Sequence, residues 1–350
     1  MKKIIGILLA GAMAFSAFAA DVSAKVQLEG ELLNITDGAV NALNINKPSD
    51  QHWNPIMNFA FSGDKAGAEF VILSGASESA GAWNTGFGVH ARNFKIWMKP
   101  ADSFKLIFGL NSFNLNQETI TWSKTYSGIE DFGYSINFAS NGFGLDLMFA
   151  PGWGNPWFSK AKDGDAKIAK TGIKAEYAAD FGKINGILVA ENTFKNLKFG
   201  AGYNNTFGGV NMFANVLGFT VNEKMDALRF EIWASGAVDA LSWKVFPTVN
   251  VGLAGDKAIT LLLNARVDYA LDGFNAYLEI GPDSRNQFNY AGVGQGTYFG
   301  LSNSKAMNMT IKPGVNGNLG GASWDVSVLF DITKGQEVLV KVPVVFSMGF

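Results

Sequence analysis

Apolar residues recur at every second position in segment after segment of this chain. Alternation of that kind places one set of side chains on one face of a strand and the other set on the opposite face. In the first such segment Val22, Ala24, Val26, Leu28 and Leu32 share a parity with Gly30, against Ser23, Lys25, Gln27, Glu29 and Glu31. In the last, Val338, Val340, Val342, Val344, Phe346, Met348 and Phe350 alternate with Leu339, Lys341, Pro343, Val345, Ser347 and Gly349. Between them the same period returns at Phe132 to Phe138, Phe143 to Phe149, Leu197 to Tyr203, Leu228 to Ala234, Ile259 to Tyr269 and Trp324 to Phe330.

Short turn signals such as Ser140-Asn141-Gly142 and Leu271-Asp272-Gly273 separate these runs and mark hairpins. The pattern predicts strands over 22–33, 55–62, 66–74, 87–98, 103–111, 131–139, 142–150, 168–179, 181–191, 196–204, 208–219, 226–236, 239–253, 258–270, 274–280, 305–315, 322–331 and 338–350. That is about eighteen, or sixteen should one hairpin be misread. The even-numbered connections are all brief, whereas several odd ones are long: 34–54, 75–86, 112–130, 151–167 and 281–304. Short turns at one end and long loops at the other are the asymmetry of a transmembrane antiparallel β-barrel, with its turns in the periplasm and its loops outside the cell.

A β-sandwich also alternates, but its strands are usually 5–6 residues long, roughly, whereas a tilted spanning strand needs about 9–11. Most of the predicted strands reach the longer class. Aromatics stand near the ends of the apolar stripes, at Phe61, Phe132, Phe149, Tyr177, Tyr203, Tyr269, Phe274, Phe330 and Phe346, where an interfacial girdle would lie. Closure removes strand edges, whose unpaired backbone groups would cost several kcal/mol each in hydrocarbon. A one-residue slip of the last strand would turn Lys341 to the bilayer at about 2–4 kcal/mol. Pro247 and Pro343 cannot donate to a ladder, so bulges or lost hydrogen bonds are expected there. A change of parity between Ala91 and Phe94 predicts a bulge near Arg92 and Asn93.

The composition fits this dispersal. The 350 residues are 48% hydrophobic and 17% charged, yet beyond residue 20 no apolar run approaches the ~20 needed for a spanning helix. So much apolar content excludes a disordered chain. With no cysteine, disulfide scaffolds, zinc-thiolate sites and thiol enzymes are excluded. A net charge of −2 gives no footprint for nucleic acid. Residues 1–19 read as a cleaved signal peptide: Lys2 and Lys3, an apolar stretch from Ile4, then Ala17-Phe18-Ala19, with cleavage near Ala19 or Ala20. Residues 20–350 then form a single barrel domain.

The terminal run Val342, Val344, Phe346, Met348, Phe350 resembles the last-strand signal of Gram-negative outer-membrane proteins. With the leader and the strand series, the mature chain resembles the general porins. That resemblance implies an outer-membrane location, barrel assembly machinery and periplasmic chaperones as partners in biogenesis, a lipid bilayer around the protein, and a homotrimer. It further implies that the third outward loop folds into the pore. Here that loop is 112–130, without the Pro-Glu-Phe-Gly-type tip common in enterobacterial members.

Parity assigns to the interior Lys25, Arg92, Lys95, Lys105, Lys170, Lys174, Lys198, Arg229, Lys244, Arg266, Lys312 and Lys341, with Glu29, Glu31, Glu69, Asp146, Glu176, Glu231, Asp268, Glu279, Asp325 and Asp331. These are the candidate pore-lining residues. Signs that nearly balance predict weak charge selectivity, since a ring selects only where one sign dominates. Most of these groups are expected to pair across neighbouring strands. Barrels of sixteen to eighteen strands hold an aqueous channel, so the first expectation is a passive diffusion channel for small hydrophilic solutes and ions. The alternatives are a channel selective for a sugar or hydrophobic solute, using Trp53, Trp83 and the aromatic segment 151–158, and a surface adhesin displaying loops 34–54 and 281–304. Catalysis and cofactors are not expected. His52 and His90 lack partners for a nucleophile, Gly292 to Gly296 is followed by no helix, and Asp163-Gly164-Asp165 is too short for a calcium loop.

Overall fold

Successive staves of the barrel pair with one another, and the last pairs with the first. In the computed structural model, described over residues 21–36, 39–44, 56–75, 88–116, 118–120, 123–124, 129–150, 170–191, 194–253, 259–281, 308–333 and 337–349, the order is β1 (Asp21–Thr36), β2 (Ala39–Asn44), β3 (Ile56–Ser62), β4 (Ala66–Gly75), β5 (Gly88–Ala101), β6 (Phe104–Phe113), β7 (Thr119–Ile120), β8 (Ser123–Lys124), β9 (Ile129–Ser140), β10 (Phe143–Ala150) and β11 (Lys170–Ala179). There follow β12 (Gly182–Glu191), β13 (Asn196–Phe207), β14 (Val210–Val221), β15 (Lys224–Val238), β16 (Leu241–Gly252), β17 (Ile259–Leu271), β18 (Phe274–Gly281), β19 (Asn308–Leu319), β20 (Ala322–Ser327), β21 (Leu329–Thr333) and β22 (Leu339–Gly349).

Residues 1–20, with Ala19 and Ala20, and the terminal Phe350 lie outside the described residues, as do Trp53, Trp83, His52 and the segments 151–167, 281–304 beyond Gly281, and 292–296. Val342, Val344, Phe346 and Met348 all fall in β22. Every pairing in the large sheet is antiparallel, and β22 closes on β1 with Phe346 opposite Leu28 and Met348 opposite Val26. β2 and β3 both pair with β1 and together make one interrupted stave. β20 and β21, both between β19 and β22, make another. The barrel therefore has eighteen staves, and the sixteen-stranded alternative is excluded.

Several irregularities fall where proline and parity demanded them, while the β14–β15 register also shifts between Phe219 and Thr220, where neither does. Val71 faces Asn93 and Ile72 faces Ala91, so Arg92 is the extra residue of a bulge. The β15–β16 ladder omits the pairs at Pro247 and Phe246 while keeping its register, because proline has no N–H to give. Beside Pro343 the β1–β22 register shifts between Glu31 and Asn34. Pro313, a third strand proline, sits where β20 gives way to β21, and the Val328 N–H donates to its carbonyl at 2.9 Å.

Alternate positions do face outward. Ile173, Leu188, Val216, Ile232, Leu263 and Val267 are exposed along the outer wall. Aromatics gather at the short-turn end, where Phe143, Tyr177, Phe181, Phe207, Tyr269, Phe274 and Phe346 are exposed. Phe61 departs from the predicted girdle. It is buried, with its ring edge-on to Phe70 at 6.3 Å, so packing between neighbouring side chains takes up the surface that an interfacial ring would present. Rings also cover glycines directly across the ladder: Trp97 over Gly67, Phe199 over Gly218, Trp243 over Gly236 and Trp324 over Gly317. Each pair restores on one strand the side-chain surface that the other lacks.

Candidate functional site

The lumen is the face opposite the apolar stripe, and its most constructed region lies where the third outward loop enters it. β6 parts from β5 at Gly109, whose φ of 115° favours glycine and where a Cβ would meet the Phe94 carbonyl oxygen at 2.2 Å. Asn111 secures the departing chain. Its Nδ2 donates to the Gly109 and Gly133 carbonyls at 3.1 and 3.3 Å, and its Oδ1 accepts from Ser135 Oγ at 3.1 Å.

Two residues beyond β6, Leu115 and Asn116 are buried against the inner faces of β12 to β14. The β13 run Lys198, Gly200, Gly202, Asn204 leaves two lumenal positions without side chains. Leu115 lies over the first, with Cδ1 3.2 Å from where a Gly200 Cβ would stand, and Asn116 lies over the second, with Nδ2 2.7 Å from a Gly202 Cβ. Asn185 Nδ2 donates to Asn116 Oδ1 at 2.9 Å, and Asn116 Nδ2 donates to Asn215 Oδ1 at 3.1 Å. Asn215 Nδ2 donates both to the Asn116 carbonyl at 3.0 Å and to Glu231 Oε2 at 2.9 Å. Leu115 also joins an apolar cluster of Met148, Ala150, Ile187, Val189, Leu217, Phe219 and Ala227. Beyond this seat the small hairpin β7–β8 comes up against β17, half the barrel away from β6. The loop thus crosses the lumen.

The charged candidates fall into distinct settings. Arg229 Nε stands 2.8 Å from Glu231 Oε1, and both side chains are buried. Arg266 holds Asp268 at 2.6 Å and Glu279 at 3.4 Å, with its guanidinium 3.9 Å from the centre of the Tyr277 ring. The Tyr277 hydroxyl donates to Asp325 Oδ1 at 2.8 Å, and Lys312, buried, lies 5.5 Å from the same ring. Asp331 accepts from Thr310 Oγ1. Lys174 meets Glu176 at 3.0 Å, Asp146 accepts from Asn137 Nδ2 at 2.7 Å, and Lys198 lies over the Phe219 ring at 5.6 Å. Lys95 is 3.6 Å from Glu69.

On the wall opposite the acidic network, Lys105 and Lys99 flank the Trp97 ring at 4.7 and 5.5 Å. Lys170, Lys244 and Lys341 are half-buried and Lys25 is exposed; Lys244 sits between Ser235 and Arg266 in register. The side chains of Glu29, Glu31, Arg92 and His90 lie outside the described residues.

Pairing is therefore common, though three of the ion pairs run along one strand between residues i and i+2 rather than across strands. Same-face neighbours on a strand are about 6.6 Å apart, a span that long side chains close readily. Among the described residues no group of three or more His, Cys, Asp or Glu is arranged to hold a metal ion. Leu115, Asn116, Gly200 and Gly202 were not among the residues singled out for chemistry. The signal that finds them is the pair of empty lumenal positions in Gly200-Ala201-Gly202.

No protein-family model and no curated protein matches the sequence. Solved structures match over nearly the whole chain. The outer-membrane protein OpdK of Pseudomonas aeruginosa superposes with a TM-score of 0.57 at 11% identity, covering 94% of this chain and 99% of its own. OccK9 (OpdG) of the same organism gives 0.56 at 12%, covering 95% and 98%. OccK2 (OpdF), solved in complex with glucuronate, gives 0.54 at 10%, covering 95% and 98%. The chain has the eighteen-stave barrel fold of these outer-membrane proteins, matched over nearly the whole of both chains.

Proposed function

We propose that this protein is an outer-membrane channel through which small hydrophilic solutes diffuse passively, filtered by size at the crossing loop. The observation that carries the reading is the seat of Leu115 and Asn116 on Gly200 and Gly202, with β7 reaching the far wall. A barrel of this strand number is wide enough for water, and a loop fixed across it narrows the passage without closing the barrel. The pore-lining residues are Lys25, Glu29, Arg92, Lys95, Lys105, Asp146, Lys170, Lys174, Glu176, Lys198, Lys244, Arg266, Asp268, Lys312, Asp325 and Lys341, whereas Arg229 and Glu231 lie beneath the loop. The test is planar-bilayer recording of refolded protein. Stepwise ion currents are expected; the complete absence of conductance from folded barrels would refute the channel.

A second reading, selectivity for small carboxylates, is favoured by a lysine cluster on one arc. Lys95, Lys99 and Lys105 stand on β5 and β6 with Glu69 beside Lys95, whereas Asp268, Glu279, Asp325 and Asp331 on β17 to β21 share their arc with Arg266 and Lys312. Among the structural neighbours, OpdK has been solved with vanillate and OccK2 with glucuronate. A local excess of one sign draws an anionic solute where a balanced ring would not. Current block by one such carboxylate, and not by a neutral sugar of equal size, would favour it.

A further inference from the structure

We infer that Asn215 and Glu231 are positioning residues for the narrow section of the channel, acting through the loop without touching the solute. The inference rests on the loop-narrowed reading above and names what holds the loop. Asn215 spends its whole amide on this task. Its oxygen accepts from Asn116 Nδ2, and its nitrogen donates once to the Asn116 backbone carbonyl and once to Glu231.

Glu231 is fully buried, and its other oxygen faces Arg229 Nε. A carboxylate in that setting accepts only, so it dictates which way the Asn215 amide points. With the nitrogen turned toward Glu231 and the loop carbonyl, the oxygen is left for the loop side chain. The chain of contacts Arg229–Glu231–Asn215–Asn116–Asn185 thus ties a loop to a wall 99 residues further along the sequence. Gly202 is what admits it, because any Cβ there would stand within 2.7 Å of Asn116, Asn185 and Asn215 together. Parity assigned Glu231 to the channel lining, but its complete burial removes it from solute, and its influence on permeation runs through the loop.

The substitution Asn215→Asp tests this, since it keeps the shape and replaces two donors by acceptors facing Glu231 and the loop carbonyl. Leu115→Cys provides the reporter, as the protein has no other cysteine and Leu115 is buried at the seat. A charged methanethiosulfonate reagent applied to the folded barrel reads loop release directly. With two hydrogen bonds lost, labelling of the Leu115→Cys thiol is expected to accelerate about ten-fold or more. Single-channel conductance is expected to rise with it. Adding Glu231→Gln to Asn215→Asp supplies a donor to the new carboxylate and is expected to bring labelling back toward the parent rate, a rescue that a loss of general stability would not show. Should Asn215→Asp fail to fold, Asn116→Ala cuts the same link from the loop and leaves the wall intact.

Unchanged labelling in both variants would overturn the inference, whatever the conductance. Faster labelling without rescue by Glu231→Gln would remove Glu231 from the chain of contacts and overturn its role. If labelling responds as expected but no variant conducts, the latch stands and the channel reading falls.

Discussion

Two arcs of the same wall treat their lumenal positions in opposite ways. From β12 to β15 the row Asn185, Gly202, Asn215, Glu231 runs in direct register around the barrel, and one member has no side chain at all. From β17 to β21 the lumenal face is filled with Arg266, Asp268, Tyr277, Glu279, Lys312, Asp325 and Asp331; Arg266 pairs with Asp268 and Glu279, Tyr277 donates to Asp325, and Asp331 accepts from Thr310. The first arc is incomplete without the loop, and its glycine and amides make a seat for a partner that arrives from far along the chain. The second is complete in itself, and so it stays as lining. A barrel wall recruits a loop by leaving side chains out.

The largest expected effect breaks the self-sufficient arc. Arg266→Ala strands Glu279, which is buried, and Asp268; removing one member of a buried ionic group typically costs about 3–5 kcal/mol. Urea unfolding of the barrel in detergent should show a drop of that order, and a change below about 1 kcal/mol would mean that water hydrates these acids. Next, Leu263→Arg on the outer wall is expected to cost about 2–4 kcal/mol in lipid vesicles, because Leu263 is exposed near the middle of β17. An unchanged unfolding midpoint would place that face in water and reverse the two sides of the wall.

Gly202→Val acts on the other arc. It fills the seat, and the loss of the loop's hydrogen bonds there should weaken loop docking by about 1–3 kcal/mol while the barrel itself still forms. The solute-size cut-off in liposome swelling should then increase, and an unchanged cut-off would show that the seat does not narrow the channel.

The smallest effect belongs to the exposed pair Lys65–Asp102, 2.6 Å apart at neighbouring short turns. The hydrogen bond and charge of Lys65 hold the Asp102 carboxyl below its ordinary value of 3.8. A lowered folded value means that any contribution is present above that pH and is lost as the pH falls through the lowered value. Both side chains are well exposed, so solvent screens the pair. Asp102→Asn is therefore expected to leave the unfolding midpoint at pH 7 unchanged within error, and any small difference from the parent above pH 3.8 is expected to vanish as the pH falls through the lowered value. A clear difference at pH 7 would contradict this.

Alternation made most of the barrel legible. Eighteen staves, short turns at one end, the extra residue at Arg92 and the broken ladder at Pro247 all follow from period two and from proline's missing donor. β2 was hidden inside a long connection, since six residues beyond a turn carry little pattern. Phe61 shows that parity assigns a face but not an exposure. The ion pairs along Arg229–Glu231 and Arg266–Asp268 show that an i, i+2 spacing matters as much as the cross-strand partner.

The loop's seat was the least legible feature. Nothing local in Asn114-Leu115-Asn116 marks it, and its contacts are made with residues some seventy to a hundred positions away. What the sequence did contain was the complement, two consecutive lumenal glycines in β13. Read as a gap rather than as a small residue, that pair points to something that must fill it.

The central claim is a channel narrowed by a loop seated on Gly200 and Gly202. Its most direct test is single-channel recording in the presence of neutral polymers of graded size, with the parent barrel compared against one in which 114–128 is replaced by a short glycine-serine turn. Conductance is expected in both, with a larger conductance and a larger polymer cut-off once the loop is removed. Identical cut-offs in two conducting barrels would contradict it.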